Sequence, residues 1–119
     1  MKKALVIGAA GFVGNYLLHE LGQNGIACYA TKLPHKKIEY EPCEIYNLDI
    51  MDKNAIADLL FEIKPDYIFH LAAQSSGGLA WKNPILTIDV NIKGSVNVLD
   101  AVRELYYKPR ILLVGSGQE

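Results

Sequence analysis

The run Ala4-Leu5-Val6-Ile7-Gly8-Ala9-Ala10-Gly11-Phe12-Val13-Gly14 decides the fold. Its first four residues are uninterruptedly apolar, the pattern of a short strand covered on both faces of a parallel sheet. Glycines follow at 8, 11 and 14, spaced G-x-x-G-x-x-G. Directly behind them Tyr16, Leu17, Leu18 and Leu21 suggest an apolar helical face, with Gly25 as its stop. A strand, a glycine turn and a helix in that order bring backbone N–H groups and the positive end of a helix dipole to one place. A pyrophosphate needs that close approach, and side chains at the turn would block it. The plainer reading is a tight turn selected for packing. The strand–turn–helix context makes Gly8, Gly11 and Gly14, with Phe12 and Val13, the candidate dinucleotide loop.

Outward from this unit, strands and helices alternate. Ile26–Ala30 reads as a second strand, and residues 31–44 as an irregular polar connection. Residues 44–48 read as a third strand. Asp52 is placed to cap a helix whose Ile56, Leu59, Leu60 and Ile63 form one apolar stripe, ended near Pro65. Residues 67–71 make a fourth strand. Asn83-Pro84 opens a long helix to about Tyr107, with Ile85, Ile88, Ile92, Val96, Leu99 and Val102 expected to face inward. Residues 110–114 make a fifth strand. Such alternation demands parallel pairing through right-handed crossovers. The expectation is an α/β, doubly wound sheet of five strands in the order 3-2-1-4-5, with ligands beyond the carboxyl ends where the winding reverses.

The 119 residues suffice for one domain, and 50% hydrophobic with 21% charged residues is globular composition. Twelve Lys+Arg against thirteen Asp+Glu give a net charge of -1, so no basic footprint points to nucleic acid or an anionic membrane surface. The apolar runs fall well short of the ~20 residues of a membrane span. Cys28 and Cys43 make no disulfide framework, and with His19 and His35 they lack metal-ligand spacing. A soluble, reducing, cytoplasmic setting is the default expectation.

Further candidates lie at the strand ends. Asp49 is placed to accept a hydrogen bond from an adenine amino group, or else Asp49 or Asp52 simply caps the next helix. His70-Leu71-Ala72-Ala73-Gln74-Ser75-Ser76-Gly77-Gly78 puts small residues at the switch point, where a ligand needs room. His70 itself reads as a packed strand residue before a base. Trp81 reads as packing before a pocket wall. Asn91 lies between apolar helix positions and faces either inward, needing partners, or solvent. At the end of the second strand stand Thr31-Lys32, with Lys36 and Lys37 nearby and no acid before Glu39. An acid there would bind ribose hydroxyls and repel a 2′-phosphate. The pattern favours NADP(H), with NAD(H) the alternative and a solvated basic loop the plainest account.

Together these pieces resemble the extended short-chain dehydrogenase/reductase family, the NAD(P)-dependent nucleotide-sugar epimerases, dehydratases and reductases. The resemblance rests on residues 8–14, Leu48-Asp49-Ile50, residues 66–75, Asn91 with Gly94, residues 98–101 and Val114-Gly115-Ser116. Residues 48–52, 63–67 and 115–119 look most like the branch of GDP-mannose 4,6-dehydratases and GDP-4-keto-6-deoxymannose reductases. The resemblance implies that the glycine loop holds the pyrophosphate, that Asp49 binds adenine and that Ile50 packs on it. It implies that Leu71, Ala72, Ala73 and Gln74 line the ribose and nicotinamide side, and that Asn91 holds local backbone and water. Ser116 would hydrogen-bond the sugar oxygen at the reacting carbon. The family's acid–base Tyr, with Lys four residues later, has no counterpart: the tyrosines at 16, 29, 40, 46, 67, 106 and 107 all lack that Lys. Residues 1–119 are therefore expected to be the NAD(P)-binding part of a longer enzyme on GDP-sugars or other nucleotide sugars, with self-association of uncovered apolar surface. The alternative is a non-catalytic dinucleotide-binding module or redox sensor.

Overall fold

A computed structural model describes residues 1–34, 38, 43–71 and 84–113, with 84–92 and 113 given by their backbone alone. The elements are β1 (Lys3–Ile7), α1 (Phe12–Gln23), β2 (Ala27–Lys32), β3 (Glu44–Asn47), α2 (Lys53–Ile63), β4 (Tyr67–His70), α3 (Pro84–Arg103) and β5 (Arg110–Leu113). The five strands form one sheet in the order β3-β2-β1-β4-β5, every pair parallel. This is the expected doubly wound, Rossmann-like arrangement.

The central strand shows why its sequence is apolar without alternation. Ala4 and Val6 point to one face, where they join Leu18, Leu21, Cys28 and Ala30. Leu5 and Ile7 point to the other, where they join Ile56, Leu60, Ile63, Ile68, Val98 and Ala101. Both faces are thus covered, by α1 on one side and by α2 and α3 on the other. At the amino edge, Asp66 ties three strands together. Its carboxylate accepts from the Lys3 N–H at 2.9 Å, its own N–H donates to the Lys3 carbonyl, and its carbonyl accepts from Arg110.

Two helix faces differ from expectation. On α1 the buried positions are Gly14, Leu18 and Leu21, whereas Tyr16 is 62% exposed. On α3 the inward side chains are Val98 and Ala101, with Gly94 buried beside them and Val102 packed half-buried against the same core as expected, while Val96 and Leu99 are exposed. Residues two apart on a helix stand about 200° apart, so burying Leu18 and Val98 turns Tyr16 and Val96 outward. Small residues won the sheet-facing side of α3 because the helix lies close to the turn after β3. A Cβ on Gly94 would run into the Ile50 side chain, meeting Cγ1 at 2.8 Å. The side chains of Ile85, Ile88 and Ile92 lie outside the described residues. Helix α3 also ends earlier than expected, at Arg103. The chain tightens there, Leu105 N–H donating to the Val102 carbonyl, and the Tyr107 hydroxyl then donates to the Pro65 carbonyl at 3.0 Å.

At Gly14 the crowding is worse, because a Cβ would collide with backbone, the Ala9 carbonyl and its Cα at 2.6 Å. Ile50 can change rotamer, but a carbonyl in the β1–α1 turn cannot move without the turn. Gly14→Ala is therefore expected to lower stability by about 2–3 kcal/mol despite its gain in helix propensity, and Gly94→Ala by clearly less. Denaturant midpoints of the two variants against the parent chain check both the sign and the order.

Candidate dinucleotide site

The site begins at the carboxyl end of β1, between strands leading to opposite sides of the sheet. Gly8 (φ 77) and Gly11 (φ 117) occupy positive-φ conformations that side chains disfavour. The turn between them is held from β2. The buried Thr31 accepts the Gly8 N–H on its hydroxyl at 3.0 Å, and its carbonyl accepts the Ala9 N–H at 2.8 Å. The Asn15 side-chain amide donates back to the Gly11 carbonyl at 2.7 Å. Thr31 thus acts through the loop, holding its backbone in place.

Helix α1 opens on this turn with Gly11 as its N-cap, without a side-chain cap and without an acidic residue in its first turn. Its leading N–H groups therefore remain available to an anion at the positive end of the helix dipole. Among the described residues, a Cβ added at Gly11 would meet nothing within 4 Å. Phe12, 87% exposed, and Val13 stand at the rim. Helix α2 is the contrast, since Asp52 accepts the Ala55 N–H at 3.1 Å and closes its N-terminus.

The second wall is the turn after β3. Asp49 is exposed, with one carboxylate oxygen accepting the Met51 N–H at 3.0 Å. Asp52, not Asp49, is the helix cap. Ile50 is buried beneath Gly94, and its carbonyl accepts from the Asn97 side-chain amide at 2.9 Å. Asn97 was missed in the sequence. Its signal was position, a polar residue near the small-residue face of a helix that also carries Gly94 and Ala101. Lys32, at the end of β2, donates to the Asn47 side chain at 3.1 Å. The Lys32 ammonium therefore sits between the ends of β2 and β3.

On the far side of β1, Leu71 is buried in the α1-side core, and its N–H donates to the Ile7 carbonyl at 2.8 Å. His70 is buried, as a packed strand residue. Its Nε2 lies 3.1 Å from the Ser95 hydroxyl, and its Nδ1 has no partner among the described residues. Ala72, Ala73, Gln74, Trp81, Lys36, Lys37, Ser116 and the Asn91 side chain lie outside the described residues. No group of three or more His, Cys, Asp and Glu placed to hold a metal occurs among the described residues. No helix there is long and apolar enough to cross a membrane.

Residues 4–119 match the profile of the NAD dependent epimerase/dehydratase family. The chain belongs to that family. It is 32% identical over 117 residues to the GDP-mannose 4,6-dehydratase of Yersinia enterocolitica, covering 87% of this chain and 32% of that protein. It is 27% identical over 116 residues to the GDP-6-deoxy-D-mannose reductase of Pseudomonas aeruginosa, covering 98% and 34%. The solved structure of the Thermus thermophilus UDP-glucose 4-epimerase in complex with NAD superposes with a TM-score of 0.75 at 28% identity, over 86% of this chain and 34% of that one. The chain therefore spans about a third of the length of these relatives.

Burial lowers the His70 pKa from its ordinary value of 6.5. The unfolded chain therefore takes up this proton first as pH falls. Stability from this group is fully present above about pH 6.5 and declines as pH drops below it toward the folded value. Urea midpoints measured from pH 8 to pH 5 should fall for the parent chain, and His70→Gln should flatten that slope.

Proposed function

We propose that residues 1–119 are the cofactor-binding domain of an NAD(P)-dependent nucleotide-sugar reductase, dehydratase or epimerase. Its acid–base Tyr and Lys and the rest of its sugar-nucleotide contacts would lie outside this chain. The observation that carries the reading is the uncapped N-terminus of α1, behind a glycine turn that Thr31 holds open. Family membership and the NAD complex of a related epimerase support it.

In this reading the N–H groups of residues 11–14 hold the pyrophosphate, and Asp49 receives the adenine amino group beside Ile50. Leu71, Ala72, Ala73 and Gln74 flank the ribose and nicotinamide. Asn91 orders backbone and water, and Ser116 orients the sugar oxygen. The nicotinamide, when bound, exchanges a hydride with a sugar carbon. Lys32 favours NADP(H), because its ammonium at the β2 end complements a 2′-phosphate where an acid would repel one. A GDP-sugar is the favoured substrate, supported by the likeness to the Yersinia GDP-mannose 4,6-dehydratase and the Pseudomonas GDP-6-deoxy-D-mannose reductase. Cytoplasmic location and self-association belong to the same proposal.

Calorimetry tests the binding. Gly11→Val, folded as judged by circular dichroism, should lose cofactor affinity, since the branched side chain enters the space in front of the loop. Lys32→Ala should weaken NADPH about tenfold, the scale of one charge-assisted contact, and leave NADH within about twofold. A parent chain that prefers NADH would overturn the NADP(H) assignment. Unchanged affinity in folded Gly11→Val would overturn the site.

A further inference from the structure

The two cysteines lie outside the dinucleotide site, at the amino end of the β2–β3 pair. Tyr29 stands opposite Glu44 and Ala30 opposite Ile45 in the parallel register. One step back along both chains brings Cys28 beside Cys43. Alternation puts both on the face of Ala30, and both do pack against the same core of Ala4, Val6, Leu18 and Ala30, Cys28 buried and Cys43 partly buried. Cys28 also acts electrostatically on Cys43, adding to the effect of burial in raising the Cys43 pKa. Register, shared face and the influence of Cys28 on Cys43 agree that the sulfurs are neighbours. Both are in the thiol form in this structure.

We infer that Cys28 and Cys43 form a reversible cross-strand disulfide, a redox modification site that fastens β2 to the start of β3. Neighbouring strands lie about 4.8 Å apart, inside the Cα separation of roughly 4.4–6.8 Å that disulfides span. Parallel neighbours hold their Cβ atoms nearly as far apart, at or beyond the usual span, so the bond closes under strain and is readily reduced. The oxidant is a low-molecular-weight disulfide such as oxidised glutathione. The Cys43 thiolate attacks one of its sulfurs and expels a glutathione thiolate. The Cys28 thiolate then attacks Cys43 Sγ and expels the second. Two protein thiols lose two electrons in all, one glutathione disulfide is reduced, and the two protons end on two glutathione thiols. The exchange is slow near neutrality, because burial and the neighbouring Cys28 push the Cys43 thiol up to about 11.

The test treats the folded chain with oxidised glutathione. Its intact mass should fall by about 2 Da for the two hydrogens lost. Tryptic digestion without reductant should link the peptides spanning residues 4–32 and 38–53. The rate should rise about tenfold per pH unit from 7 to about 10, following the thiolate. Excess reduced glutathione should restore both thiols. Cys28→Ser and Cys43→Ser should each abolish the link, and Cys43→Ser, at the less buried position, serves if the other variant fails to fold. A reaction that stops at a glutathione adduct, or that joins two chains, overturns the pairing. A link that resists reduced glutathione overturns its reversibility.

Discussion

The contact of Gly14 with the Ala9 carbonyl is the constraint on which the rest depends. A helix that follows its strand after so short a turn must pass almost against the turn's own backbone. Only a residue without a Cβ permits that distance. The close passage sets Leu18 and Leu21 over Ala4 and Val6, and it leaves the first N–H groups of α1 facing the end of the sheet. Helix packing and the open N-terminus of α1 therefore come from one geometric requirement. The two readings of the glycine spacing, a turn for packing and a turn for phosphate, call for the same geometry.

Much of the fold was legible because it follows from periodicities. Four apolar residues before a glycine turn, a clean i, i+3, i+4, i+7 stripe at Ile56–Ile63 and regular alternation of elements lead to one topology. The inward face of α3 was not legible for a physical reason. Hydropathy ranks Val96 and Leu99 above Gly94 and Ala101, but a helix passing over a filled turn needs absent volume on that side. The sequence marks where side chains are large, and the close contact is made where they are small. Tyr16 misled in the same way, since an amphipathic ring looks like core in a count of apolar residues.

The site was legible in its glycines and only partly in its supports. Asp52 as the cap of α2 follows from its place before an apolar stripe. The bonds between Gly8 and Thr31 and between Asn97 and Ile50 cross 23 and 47 residues of chain, and no local spacing announces them. They are visible only once parallel register brings β2 beside β1 and α3 over the turn after β3. Sequence shows which backbone is left bare at the candidate site, and long-range polar bonds decide how firmly that backbone is held.

Thr31 and Lys32 are adjacent, yet the strand pleat sends them to different tasks. One is buried and bonded to the loop, and the other reaches out beside Asn47. Alternation along a strand keeps such neighbours mechanically independent. Position 32 is therefore open to mutational drift, with charge free to change there while the loop's geometry stays put. Selection on the outer contact can proceed by single substitutions, because the scaffold beneath it does not have to be rebuilt at each step.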